Sequence, residues 1–372
     1  MSNDSSVNLR IPGPTPLPPE VREAISAQMI NHRGHGYEEI QGRVVENLKY
    51  FFQTKNDIFL LTSSGMGGLE AAIANFFSPG DTIVSFTCGE FGNRWADVAR
   101  QYQANVIQVK FTSGTAVDIG EVRKVLGGLD KVDGVLITHN ETANGVRNDI
   151  AGIAPIIKAH KSEPLLLIDS ISALGATNLP MDNIGIDVLV SASQKAWMAP
   201  PGLAFISVSE KAWERHRKAK MPRYYWDITK YKEFAEKNQT PATPALTTLY
   251  GLDASLIMMR KEGREKIFKK HIELMLYTRE EIKKLGLTLF VDIENASTTV
   301  TSFLVPEGID ASAWLKTLRE KYHCVLAGGM GDTKGKIIRI AHMGFVTKKE
   351  LDEVFSSIKL SFKDIGFTQK EE

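Results

Sequence analysis

Residues 165–176 read LLLIDSISALGA. Four aliphatic residues in a row, with no polar position between them, mark a strand covered on both faces, and Asp169 ends that run. In an open α/β sheet the carboxyl ends of the strands form the ligand crevice, so this acid sits at the mouth of one. The competing reading is a helix or turn cap, a role that Asp-Ser suits.

Similar short aliphatic or β-branched runs recur at 58–61, 82–86, 105–109, 134–138, 188–190 and 203–207, with helical stretches such as 71–77 and 98–102 between them. The alternation predicts a doubly wound α/β fold on a mainly parallel seven-stranded sheet. After Ser209 the chain turns charged and helix-rich, and 252–285 reads as one long helix or two meeting near Gly263. Beyond it, strand-like 287–291, 300–304 and 336–340 alternate with amphipathic helices at 311–322 and 348–362, which predicts a smaller α+β domain. The expected division is an N-terminal arm over 1–20, a large domain over 21–250, and a linking helix with the small C-terminal domain over 251–372. The PGPTPLPP stretch at 12–19 is expected to be extended and unable to pair as an inner strand.

The bulk properties narrow the class of partner. The chain has 372 residues, 45 basic and 44 acidic, so its net charge of +1 provides no broad field for nucleic acid or an anionic membrane. Two cysteines, Cys88 and Cys324, do not make a disulfide framework or a zinc site, and a reducing compartment is expected. The first residues lack the flank and apolar core of a secretory signal, and no stretch approaches the ~18 apolar residues of a membrane span. These features predict a cytoplasmic protein acting on small molecules, with no metal site.

Further along, SASQKAWMAPPG at 191–202 places Lys195 just past the strand at 188–190. Most lysines are solvated surface residues. This one has small and apolar neighbours, no adjacent charge, a rigid Pro200-Pro201-Gly202 behind it, and Asp169 on a nearby strand end. A desolvated lysine has a depressed pKa and becomes an amine nucleophile toward an aldehyde, the requirement for a Schiff base. Pyridoxal 5'-phosphate supplies such an aldehyde, and its ring nitrogen needs a carboxylate such as Asp169 to stay protonated.

Two more segments fit that cofactor. SSGMGG at 63–68 follows the first strand and opens a helix, so backbone N–H groups of Ser64, Gly65 and Met66 converge as they would on a phosphate. A plain strand-to-helix turn or a dinucleotide loop is the alternative, although the spacing is not G-x-G-x-x-G. CGEFGNRW at 88–95 sets Phe91 between glycines at another strand end, where a ring can lie on a flat heterocycle or, alternatively, in the core.

Together IPGPTPLPPEV, SSGMGG, GEFGNR, HNETANGV, DSISALGA, SASQKAWMAPPG, TPATPA and GKIIRIAHMG resemble, in order and over nearly the whole chain, the class V aminotransferases of the alanine-glyoxylate and serine-glyoxylate (serine-pyruvate) branch. The resemblance implies the fold-type I architecture of pyridoxal-phosphate enzymes and a homodimer with active sites shared at the subunit interface. It makes Lys195 the Schiff-base lysine and Asp169 the partner of the pyridine nitrogen. It gives Ser64, Gly65 and Gln194 to the phosphate, with Thr243 and Thr240 reaching it from the neighbouring chain, and puts Thr142 beside the phenolic oxygen. Arg339 corresponds to the arginine that binds the substrate carboxylate, a planar bidentate task. Gly13 and Thr15 would line the substrate pocket. Some members carry Trp where this chain has Phe91, and His where it has Met66, changes that bear on cofactor affinity.

The implied reaction is a ping-pong transamination between a small amino acid, alanine or serine, and a 2-oxo acid, glyoxylate or pyruvate. Relatives acting on aminoethylphosphonate or phosphoserine would need extra cations, which HRGHGY could provide through His32, Arg33 and His35. A cysteine desulfurase would use a mobile cysteine, and Cys324 of YHCVLAGG is the candidate, in a segment apolar enough to be a strand interior. Desulfurases also tend to carry His before the lysine, where this chain has Gln194. A non-catalytic scaffold has nothing in its favour, since the Lys, Asp and Arg are all present.

Overall fold

The aliphatic runs find one another in a single sheet. A computed structural model describes residues 7–368; the ends of the expected arm and of the expected C-terminal domain, 1–6 and 369–372, lie outside the described residues. The seven expected strands are β1 (Asp57–Thr62), β2 (Thr82–Thr87), β3 (Asn105–Lys110), β4 (Gly134–Thr138), β5 (Leu165–Asp169), β6 (Val188–Ala192) and β7 (Leu203–Val208), in the order β1-β7-β6-β5-β4-β2-β3. β7 runs antiparallel to both its neighbours, and the remaining pairs are parallel. The mainly parallel seven-stranded sheet is therefore present.

Strands β4 to β7 are buried at every residue, which accounts for sequences that do not alternate. Val135 and Ile137 of β4 pack on one side with Leu48, Phe51 and Ile153, whereas Leu136 packs on the other with Leu69, Ile73 and Trp95. Helices His35–Phe52 and Ile150–Lys158 supply the first layer, Gly65–Phe76 and Glu90–Gln101 the second. Glycines make close layers possible: a Cβ at Gly68 would stand 2.8 Å from Val190 Cγ1 and 3.1 Å from Ala204 Cβ.

The long helical segment is two helices, Leu246–Glu262 and Arg264–Lys284, meeting at Gly263 with φ of 86°. Beyond them a three-stranded antiparallel sheet, β8 (Val300–Leu304), β9 (Ala327–Gly328) and β10 (Ile337–Ala341), in the order β8-β10-β9, is covered by Ala311–Tyr322 and Lys348–Ile365. The expectation of a strand over 287–291 is corrected. Only Leu289 bridges to Phe303, the carbonyl of Val291 accepts from Arg279 Nη2 at 2.8 Å, and the chain enters a 3-10 turn at Ile293–Asn295. Near the N-terminus Asn8–Leu9 pairs in parallel with Cys324–Val325, and the proline-rich stretch then crosses to Lys195.

Candidate active site

Asp169 is the last residue of β5 and lies in register with Val190 of β6 and Thr138 of β4. Lys195 follows β6 by three residues, so the two strands that pair side by side deliver the acid and the amine to the same end of the sheet. The turn that carries Lys195 is anchored by fully buried Trp197, whose indole N–H donates to Ser191 Oγ at 2.8 Å and whose ring packs on Phe51, Phe52 and Phe205. Thr15 Oγ1 donates to the Lys195 carbonyl at 3.0 Å, and Lys195 Nζ donates to the Pro12 carbonyl. Gly13 lies so close that a Cβ there would stand 2.6 Å from both Lys195 Cδ and Nζ.

One cavity of about 120 Å³ gathers Asp169, Lys195 and Gln194 with Ser64, Gly65 and Met66 on one side and Phe91 and Thr142 on another. Eight residues expected at a cofactor site thus line one hollow. Ser64 is the N-cap of helix Gly65–Phe76 and makes no side-chain capping bond, so that helix start presents open N–H groups and positive dipole to the cavity. A Cβ at Gly65 would meet Ile171 Cδ1 at 2.6 Å. Asn140, Ile171 and Ser172, which the sequence reading did not single out, complete the lining. Asn140 belongs to the HNETANGV motif, two residues before Thr142. Buried Gln194 Oε1 and Asn140 Oδ1 have no hydrogen-bond partner among the described residues.

Burial pushes the Asp169 carboxyl up to about 6, partly opposed by the Ile171 N–H at 3.0 Å and the Thr138 hydroxyl at 3.4 Å. Burial pushes the Lys195 ammonium down to about 8; Asp169 opposes that shift and Arg339 adds to it. Both shifts come first from burial, which sets this pair apart from a surface ion pair. Arg339, on β10, is buried and directs its guanidinium inward, Nε donating to the Gly328 carbonyl at 2.7 Å and Nη1 to the Thr142 carbonyl at 2.6 Å. It therefore adjoins the cavity through Thr142.

Thr240 and Thr243 are not brought to this cavity within the chain. Thr240 Oγ1 donates to the Ala242 carbonyl at 2.8 Å, and Thr243 is exposed. A larger hollow of about 880 Å³, bounded by Arg147, Asp149 and Glu294 among others, has neither lysine nor cysteine in its wall. Among the described residues no helix is long and apolar enough to cross a membrane.

Residues 7–354 match the family model described as aminotransferase class-V. The chain is 38% identical to the soluble hydrogenase 42 kDa subunit of Anabaena cylindrica, covering 98% of this chain and 95% of that protein. It is 32% identical to a serine–glyoxylate aminotransferase of Arabidopsis thaliana, covering 97% and 91%. Among solved structures, an alanine–glyoxylate aminotransferase from Nostoc sp. superposes with a TM-score of 0.91 at 26% identity over 95% of this chain and 94% of that one. With a strand-end lysine facing a strand-end aspartate across one cavity, and with that extent of match, the chain belongs to the class V aminotransferase family.

Proposed function

We propose that this aminotransferase uses pyridoxal 5'-phosphate to exchange the amino group of a small amino acid, alanine or serine, with glyoxylate or pyruvate. The observation that carries the reading is the joint placement of Lys195, Asp169 and the uncapped helix start at Ser64–Gly65 around one cavity. The donor set suits a phosphorylated pyridine aldehyde. The helix N-terminus at Ser64–Gly65 would receive the phosphate, and Gln194 in the same cavity wall would add its amide. Among the described residues Asp169 is bonded by the Thr138 hydroxyl and the Ile171 N–H and by no cation, which a protonated ring nitrogen would provide. Phe91, Met66 and Thr142, which line the same cavity, would hold the ring, Phe91 by stacking and Thr142 by a hydrogen bond.

When bound, the cofactor supplies an electron sink for the bond broken at the substrate Cα. Lys195 would hold it through Nζ, and the same amine would take and return the substrate Cα proton. A pKa near 8 lets that amine act as a base close to neutral pH. Asp169 keeps the ring nitrogen protonated. Arg339, already oriented by two carbonyls, would receive the substrate carboxylate, and Gly13 and Thr15, which lie against Lys195, would border the substrate beside that amine. Thr240 and Thr243 would serve the phosphate of a second copy, which is the reason to expect a homodimer, and the two unpaired cysteines suit the reducing cytoplasm.

Two alternatives lose support. Arg33, the cation a phospho-substrate would call on, is held by the Gln239 side chain and the carbonyls of Thr240 and Pro241, and His35 is exposed beside Glu39 at 3.2 Å. Cys324 is buried on a two-residue strand with its thiol pushed up to about 12 by burial, which leaves no mobile nucleophile for desulfuration.

The test is spectroscopic. The near-visible cofactor band should be lost on adding L-alanine or L-serine and restored by glyoxylate or pyruvate, and Lys195→Ala should abolish the band. Recovery with 2-oxoglutarate alone would refute the glyoxylate assignment, and unchanged turnover in Lys195→Ala would refute the mechanism.

A further inference from the structure

Glu141 is a fully buried carboxylate to which the proposed reaction assigns nothing. It stands on the first strand of the two-stranded hairpin formed by Asn140–Glu141 and Val146–Arg147. Its Oε2 accepts from the backbone N–H of Phe91 at 3.0 Å and of Gly92 at 3.2 Å, and its Oε1 accepts from the N–H of Ala143 at 3.0 Å. The first two donors belong to the opening turn of helix Glu90–Gln101, whose N-cap Gly89 makes no side-chain cap. A Cβ at Gly89 would come within 2.4 Å of Glu141 Cγ, so the backbone has been brought as close to this side chain as glycine allows. One carboxylate thus joins the start of the Phe91 helix to the loop that carries Thr142.

That loop is also what orients the substrate arginine. The Thr142 carbonyl takes Arg339 Nη1 at 2.6 Å and the Gly328 carbonyl takes Nε at 2.7 Å, which fixes the guanidinium plane and leaves Nη2 and one Nη1 hydrogen for a ligand. Glu141 is in addition the anion whose charge acts on Arg339. Resting on the transaminase reading above, we propose that Glu141 is a positioning residue that sets affinity for the substrate carboxylate, by holding the Thr142 carbonyl where it aims the Arg339 fork.

The chemistry of the contact makes this specific. A carboxylate presents acceptors to both sets of N–H donors, whereas the amide of Glu141→Gln turns an NH₂ toward one of them. A buried N–H facing another donor cannot stay in place, so the loop or the helix start must shift. A shift of the Thr142 carbonyl rotates the arginine, and bidentate recognition tolerates little rotation.

The experiment uses holoenzyme and two amines that bind at the cofactor without turnover by the normal route. One is 2-methylalanine, which has a carboxylate and no Cα hydrogen; the other is tert-butylamine, which lacks both the carboxylate and that hydrogen. Dissociation constants are read from the near-visible cofactor band for wild type, Glu141→Gln, Arg339→Gln and the double variant. Glu141→Gln is expected to weaken 2-methylalanine about tenfold, the equivalent of about one hydrogen bond, and tert-butylamine less than about twofold. In the Arg339→Gln background the Glu141→Gln change should add less than about twofold, because the two residues act through one contact. Glu141→Asp keeps the charge but is too short to bridge both donor sets, and should show the same selectivity at smaller size. It gives the reading if the glutamine variant does not fold. Equal weakening of both amines, no weakening of either, or additive effects in the double variant would overturn the proposal. A wild-type band that responds to no amino acid would instead sink the transaminase reading itself.

Discussion

Burial of Lys195 has a kinetic consequence that can be measured without substrate. Its ammonium is pushed down to about 8, so at pH 7 about one molecule in ten carries the neutral amine, against about one in three thousand for a lysine at 10.5. The advantage as a nucleophile toward aldehydes is therefore about 300-fold at that pH. The assay is reductive methylation of cofactor-free protein with formaldehyde and a mild borohydride, scored at the Lys195 peptide by mass spectrometry between pH 6 and 10. The rate should rise about tenfold per pH unit and level off above about pH 8. Exposed lysines on the same protein act as internal controls and should keep rising. Because Asp169 raises the Lys195 value and Arg339 lowers it, Asp169→Asn should move the inflection down and Arg339→Gln should move it up. A Lys195 rate still climbing at pH 10, or an Asp169→Asn inflection above that of wild type, would refute the argument.

Three further outcomes follow from the geometry. Gly13→Ala adds a Cβ 2.6 Å from Lys195 Nζ at a φ of +110°, with a backbone cost of about 1–2 kcal/mol, and should lower kcat more than tenfold at little change in Tm; a fully active variant would contradict the close approach. Gly65→Ala drives Ile171 into the cavity and should raise the Kd for pyridoxal phosphate about tenfold in an absorbance titration, with an unaltered Kd counting against a phosphate at that helix start. Cys88 and Cys324, both buried and both pushed up to about 12, should resist a thiol reagent in the native protein and react fully after unfolding, so rapid native labelling of Cys324 would revive the desulfurase alternative.

Much of the large sheet is readable from local sequence because its strands are covered on both sides. LLLI at 165–168 and its counterparts carry a one-dimensional hydrophobic signal that needs no knowledge of neighbours. The segment at 287–291 also reads as a strand, but it pairs with β8 only through Thr288 and Phe290 around the single bridge at Leu289 before Arg279 takes the Val291 carbonyl and the chain turns. Whether an apolar run pairs as a strand depends there on what stands beside it. At the site, Lys195 and Asp169 stood out by type and by position after strands, while Glu141 did not. A buried carboxylate that bonds only backbone N–H groups has no partner side chain in the sequence to betray it.

Asp169 at the end of LLLI is, by sequence alone, an acid at the mouth of a crevice, and its order with SSGMGG and SASQKAWMAPPG already implies the family. Strand order, pairing and distance are decided only in three dimensions. Adjacent placement of β5 and β6 sets Asp169 beside Lys195, the Gly13 approach encloses the amine, and Thr142 fixes Arg339 across a gap of nearly two hundred residues. The physical reason is that strand identity is a local property of burial and residue shape. The field and hydrogen bonds around a titratable group come from segments far apart in the chain, and only packing brings those together.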